Sequence, residues 1–224
     1  MSNRLQELVQ RIETHPRKVA EYVAQHAERG DPASVLAAMD RYAHEVAFLM
    51  NLGPDKGPIV QELFEGLPPA ARVLELGAYC GYSAVLFASR LGPEGRLVSL
   101  EIGEESVEAV RANVAFAGLD GRVEVIPGDT ADTIPTLEGP FDLVFLDHMK
   151  NFYKRDLMAI EANGLLRPGS IVAADNVGPL FDPQEYLDYV RTCGHYDSEH
   201  RASTIEYHDD PDAVEISVYR PERD

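Results

Sequence analysis

The stretch from Arg72 to Ala84, RVLELGAYCGYSA, constrains this chain more than any other part of it. Val73 to Leu76 is a short apolar run holding one acid, Gly77 and Gly81 bracket a tight turn, and from Tyr82 onward the residues repeat at helical rather than alternating spacing. The unit is a strand, a glycine turn and a helix. Such a unit points backbone N–H groups and a positive dipole end at the carboxyl edge of a sheet, and its glycines let a ligand come close to the backbone. The pattern departs from the dinucleotide fingerprint G-x-G-x-x-G, because Tyr79 stands where the second glycine should fall. Nicotinamide binding is therefore the weaker reading. A buried carboxylate at Glu75, before a turn too crowded for a pyrophosphate, suits a ligand with a positive amine. S-adenosylmethionine is such a ligand.

A chain of 224 residues with 45% hydrophobic content buries a substantial core and reads as one domain, residues 1–224. Residues 1–67 form a helical N-terminal extension and residues 72–224 the core. The formal net charge of −18 argues against nucleic acid or an anionic membrane as partner, since phosphate binding draws on excess Lys and Arg. A cationic cofactor or a metal suits it well. The two cysteines, Cys80 and Cys193, make no disulfide framework and no zinc motif, which fits a reducing cytoplasm. The first residues mix charges without an apolar core, so no signal peptide or membrane span is expected.

Along the chain, Leu5, Val9 and Ile12, then Val19, Tyr22 and Val23, recur at helical spacing. A further helix is expected from about Ala33 to Phe48, with Asp31-Pro32 as cap and first-turn proline. MNLGPDKG, residues 50–57, has the turn chemistry of a surface connector, and a short helix follows from Pro58 to Leu67. After the glycine turn, RLVSLEI is a second strand that ends near Glu101, 24 residues after Gly77. That offset is close to the roughly 20 residues at which ribose-binding acids follow the turn in such folds. A surface glutamate capping the next helix explains the position equally well. A helix from Glu104 to Ala117 and a third strand, RVEVI, lead to the loop Gly128–Ala131, which falls at a carboxyl strand end where an adenine would lie.

FDLVFLDH, residues 141–148, is apolar on both faces and stops at Asp147, as a central parallel strand would. After a helix from Asn151 to Ala162, GSIVAADN repeats the pattern and ends in Asp175-Asn176. If the two strands are neighbours, three oxygen ligands converge, and hard donors without Cys or clustered His favour magnesium or manganese over zinc. Either aspartate alone reads equally well as a helix cap. A helix from Pro183 to Cys193 precedes RASTIEYH and AVEISVYR, whose alternating patterns around DDPD make an antiparallel hairpin at the sheet edge.

VLELGAYCGYSA, FLDHMK, the ADN at 174–176 and the IEY at 205–207 together resemble the catechol O-methyltransferase family, from about Met50 onward. The resemblance implies an α/β fold of the Rossmann-like class I methyltransferase type, with a seven-stranded, mostly parallel sheet, an antiparallel C-terminal hairpin and helices on both faces. It implies S-adenosylmethionine and Mg2+ as cofactors and a small catechol-like acceptor. Glu75, Gly77, Tyr79 and Ser83 would hold the methionine end, helped by the backbone near Leu52. Glu101 and the adjacent Ile102 would meet the ribose, and Gly128, Asp129, Thr130 and Ala131 the adenine, with His148 against the cofactor. Asp147, Asp175 and Asn176 match the magnesium ligands, Lys150 the general base and Glu206 the acid that bonds the second hydroxyl. Phe48 and Met149 stand where the family has tryptophan walls, while Pro179 and Ile205 supply further apolar walls. A metal-dependent methyltransferase of caffeoyl-type esters, a nicotinamide-dependent oxidoreductase and a silent cofactor-binding module remain as alternatives.

Overall fold

The computed structural model describes residues 16–221; the expected helix around Leu5, Val9 and Ile12 lies outside them. Two helices come first, α1 (Pro16–His26) and α2 (Pro32–Glu45). Asp31 caps α2 by accepting a hydrogen bond from the Ala33 amide, and Pro32 takes the first turn, where its missing N–H costs nothing. Residues 50–57 are not the surface connector their composition suggests. They enter α3 (Gly53–Glu62), with Gly53 at φ 64 and Pro54 in the first turn, and Leu52, Gly53, Lys56 and Gly57 are buried.

The remainder alternates strands with helices: β1 (Arg72–Leu76), α4 (Tyr82–Arg90), β2 (Arg96–Glu101), α5 (Glu104–Phe116), β3 (Val123–Pro127) and the one-turn α6 (Thr130–Thr133). Then come β4 (Phe141–Leu146), α7 (Tyr153–Ala162), β5 (Leu166–Ala174), α8 (Gln184–Thr192), β6 (Tyr196–Thr204) and β7 (Pro211–Tyr219). The seven strands form one sheet in the order β3-β2-β1-β4-β5-β7-β6. Strands β1 to β5 run parallel, and β7 pairs antiparallel with both β5 and β6. The order reverses beside β1, between the β2 and β4 sides, which is where open α/β sheets bind ligands.

Alternation along the strands divides the core between two faces. Val73, Leu143 and Phe145 pack with α1, α2, α4 and α5 on one side, while Leu74, Leu76, Val144 and Leu146 pack with α7 and α8 on the other. Every residue of β4 is buried, so the strand has no solvent face; Asp142 near its start accepts from the Arg72 amide and from Arg167, and its next acid stands at its carboxyl end. That end is Asp147.

Candidate active site

The carboxyl ends of β1, β2 and β4 open into a cavity of about 260 Å³ lined by Gly77, Tyr79, Ser83, Glu101, Ile102, Gly128, Asp129, Thr130, Asp147, His148 and Met149. Met50 and Asn51, which lead into α3, close it from above the sheet, and Phe152 adds an apolar wall. The turn that shapes the cavity runs through positive φ at Gly77, Tyr79 and Gly81, with Gly77 so close to β4 that an added Cβ would lie 2.8 Å from the Asp147 carbonyl oxygen. Glu101 holds this turn. Its Oε2 accepts from the Ala78 and Tyr79 amides at 3.0 and 2.9 Å, and its Oε1 from the Gly103 amide at 2.8 Å. The carboxylate therefore faces the glycine turn and the cavity instead of lying on the outer surface.

Glu75 is fully buried on β1. Among the described residues, Ser99 donates to its Oε2 at 2.5 Å while Oε1 has no hydrogen-bond partner, and burial pushes the carboxyl up to about 7 although the Ser83 and Ser99 hydroxyls oppose it. Among the described residues, Asn51 Nδ2 and His148 Nδ1, both on residues that line the cavity, are likewise buried without a hydrogen-bond partner. An unsatisfied buried polar atom costs about 1–3 kcal/mol, so these two on its lining mark the cavity as a place shaped for a polar ligand. The His148 ring is fixed from its other side, where Nε2 meets Asp156 Oδ2 at 2.7 Å. Burial would raise the Asp156 pKa, but His148, Arg155 and Thr130 all bond to it and bring it to about 2.

Beside this cavity the strand-end acids meet. The Asp147 amide bonds to the Leu76 carbonyl and the Asp175 amide to the Leu146 carbonyl, so the ends of β1, β4 and β5 step across the sheet and carry the two aspartates side by side. Lys150 Nζ lies 2.9 Å from Asp147 Oδ1 and over the ring of Tyr153. Asp175 and Asn176 are buried, and Asn176 adopts φ 52. An ammonium that composition placed in a loop stands among them: Lys56, fully buried on α3, reaches Asp175 at 2.6 Å, Asp212 at 2.9 Å and Glu206. Burial works against the charge on Lys56, but Asp175, Glu206 and Asp212 outweigh it and raise its pKa well above the ordinary lysine value. Burial, with Asp147, Glu206 and Asp212 nearby, raises the pKa of Asp175, and Lys56 only partly opposes them.

The donors at this place suit a metal. The carboxyls of Asp147, Asp175, Glu206 and Asp212 outnumber the amines of Lys56 and Lys150, and they and the Asn176 amide offer oxygen, which favours a hard dication. Among the described residues, Asp175, Glu206 and Asp212 bring ligand oxygens within 4.8 Å of one another, around the Lys56 ammonium.

Residues 74–177 match the family model described as "Methyltransferase domain". The chain is 40% identical to catechol O-methyltransferase B of Danio rerio over 211 residues, covering 92% of this chain and 79% of the relative. The chain belongs to the catechol O-methyltransferase family. The fold is also that of a cofactor-bound protein, Rv0187 from MTB, with a TM-score of 0.72 at 29% identity, covering 86% of this chain and 91% of that one. An O-methyltransferase from Bacillus cereus in complex with SAH matches with a TM-score of 0.68 at 25% identity, over 91% of both chains. The chain is thus an O-methyltransferase with the class I fold.

Several positions singled out from the family resemblance lie apart from the cavity. Leu52 and Ile205 are wholly buried, Ala131 is exposed on α6, and Pro179 lines a separate hollow with Gly178, Arg191 and Glu215. Phe48 meets the His208 ring edge-on at 5.3 Å, and Met149, 65% exposed, lies on the rim of the main cavity. Glu206 is buried with Oε2 unpartnered. Met50, Asn51, Lys56, Phe152, Asp156 and Asp212 are site residues that the sequence reading missed. For the first three the one available signal was that MNLGPDKG lies inside the span that resembles the family, although its composition reads as a connector.

Proposed function

We propose that this O-methyltransferase moves the methyl group of S-adenosylmethionine onto one hydroxyl of a catechol-like vicinal diol, with Mg2+ at the strand-end acids. The observation that carries this reading is the cluster of oxygen donors in which carboxyls outnumber amines, beside a cavity with unpartnered polar atoms. S-adenosylmethionine supplies an electrophilic methyl on a sulfonium. A magnesium ion supplies Lewis acidity, which lowers the pKa of a bound phenolic hydroxyl from about 10.

The chain does the rest by holding and orienting. Glu75, with its free Oε1, pairs with the amine of the methionine end, and Ser83, Tyr79 and the backbone near Leu52 fix the carboxylate. Glu101 and Ile102 face the ribose, while Gly128, Asp129, Thr130 and Ala131 border the adenine, and His148, locked by Asp156, lies against the cofactor. Asp147, Asp175 and Asn176 hold the metal. Lys150, as the neutral amine, would accept the proton from the attacking hydroxyl and become the ammonium that Asp147 Oδ1, 2.9 Å from Nζ, holds in place. The unpartnered Oε2 of Glu206 accepts a hydrogen bond from the hydroxyl that is not methylated. Met149, on the rim of the cavity, bounds the ring of the acceptor.

This division of labour requires two adjacent hydroxyls. A monophenol forfeits the bond to Glu206, and a hydrogen bond to a charged group is worth about 1.5–3 kcal/mol, so it should react at least roughly ten-fold more slowly. The test is transfer of a labelled methyl group to a catechol and to the matching monophenol. Equal rates on the two acceptors contradict the proposal.

A further inference from the structure

We propose that Asp212 is a positioning residue for the metal site, setting which end of the Asn176 amide is offered to a divalent cation; this rests on the metal reading of Asp147, Asp175 and Asn176. Asp212 stands at the start of β7, far in sequence from β5, and is 3% exposed. Its two oxygens have separate tasks. Oδ1 accepts from the Gly178 amide at 2.9 Å, and Oδ2 accepts from Asn176 Nδ2 at 2.8 Å and from Lys56 Nζ at 2.9 Å. The second Asn176 N–H faces Glu206 Oε1 at 3.3 Å. Both hydrogens of the amide are thus turned toward carboxylates, which leaves the amide oxygen, the only end that can ligate a hard cation, at the opposite side.

The arrangement is built tightly around Asp212. A Cβ at Gly178 would lie 2.4 Å from Asp212 Cα and 2.7 Å from its Oδ1, so the chain passes Asp212 at glycine distance. The Val177 amide bonds to the Ala213 carbonyl at 3.1 Å, which ties the segment after Asn176 to the strand that carries Asp212. Asn176 itself sits at φ 52, a conformation that side chains seldom adopt without being held. Lys56 completes the set, since its three N–H bonds serve three carboxylates, Asp175, Glu206 and Asp212.

A carboxylate accepts at both ends, whereas an asparagine accepts at one and donates at the other. In Asp212→Asn the new NH2 faces either the Gly178 amide or the Asn176 amide and the Lys56 ammonium, so one donor always opposes another. The side chain keeps its size, but the Asn176 amide loses its fixed sense. Removing a partner that orients a metal ligand weakens metal affinity by about 10- to 100-fold. The experiment titrates purified wild type and Asp212→Asn with Mn2+ under electron paramagnetic resonance, and separately measures S-adenosylhomocysteine affinity by calorimetry. The expected result is a 10- to 100-fold weaker Mn2+ affinity with cofactor affinity changed by less than about two-fold. Mn2+ affinity within two-fold of wild type, or a parallel loss of both affinities, overturns the proposal. If wild type binds no Mn2+, the metal reading falls and this inference falls with it. Should the variant not fold, the Asn176 side-chain amide is followed by NMR in metal-free wild type. Slow exchange of both Nδ2 protons supports the proposal, and rapid exchange overturns it.

Discussion

Glu75→Gln separates the stability of this fold from its function. Glu75 is fully buried, one of its oxygens lacks a partner, and burial lifts its carboxyl from the ordinary 4.5 to about 7. A group whose folded pKa lies above its unfolded value favours folding fully below the unfolded pKa, and that contribution is lost as pH rises through the folded pKa. For Glu75 the window is pH 4.5 to about 7. At 1.36 kcal/mol per pH unit of displacement, wild type should lose about 2–3 kcal/mol between pH 5 and pH 8 from this residue alone. Glutamine cannot ionise, so the variant lacks this loss. Its buried amide adds a cost, but that cost is the same at every pH, and the difference between the two proteins must still move toward the variant by about 2–3 kcal/mol over that range. Urea unfolding of both ligand-free proteins, followed by circular dichroism at pH 5, 6, 7 and 8, measures it. Cofactor affinity should move the other way, by about ten-fold or more, because the amide cannot pair with an ammonium as a carboxylate does. Parallel stability profiles for the two proteins would refute the reasoning, since Glu75 would then be ionised in the fold without penalty.

Lys150→Ala should lower turnover by roughly 100- to 10,000-fold with little change in cofactor affinity, as steady-state kinetics and calorimetry together can establish; near-normal turnover would reduce Lys150 to a surface partner of Asp147. Gly77→Ala should destabilise by roughly 2–5 kcal/mol, from the left-handed backbone and from a Cβ placed 2.8–2.9 Å from the Asp147 and His148 backbone. Urea unfolding checks it, and a loss below about 0.5 kcal/mol would mean that β1 and β4 can part freely.

The alternation of strands and helices was legible because residues 143–146 of β4 and 171–174 of β5 are apolar on both faces and α2 carries its cap in sequence, Asp31-Pro32. The acids at strand ends were legible for a related reason: each directly follows an apolar run, at the edge where an open α/β sheet binds its ligand. The family strings carried the assignment of roles, which periodicity alone does not contain. Lys56 was hidden because a lysine is solvated by default and its partners Asp175 and Asp212 lie 119 and 156 residues away. Asp212 was hidden inside DDPD, where an aspartate beside proline is ordinary turn chemistry. MNLGPDKG misled because Gly and Pro mark turns and helix starts alike, and only the packing of Leu52 and Lys56 into the core decides between them. Glu101 was ambiguous between cap and ligand, and its hydrogen bonds to the glycine turn place it at the cavity.

The central claim is that a dication binds the cluster at Asp147, Asp175 and Asn176 and that methyl transfer depends on it. Its most direct test is the rate of methyl transfer to a catechol after exhaustive chelation, followed by metal titration. The account predicts that chelation abolishes turnover and that added Mg2+ restores it, while Ca2+, larger and less strict in geometry, restores it only in part. Undiminished turnover in excess chelator would contradict it.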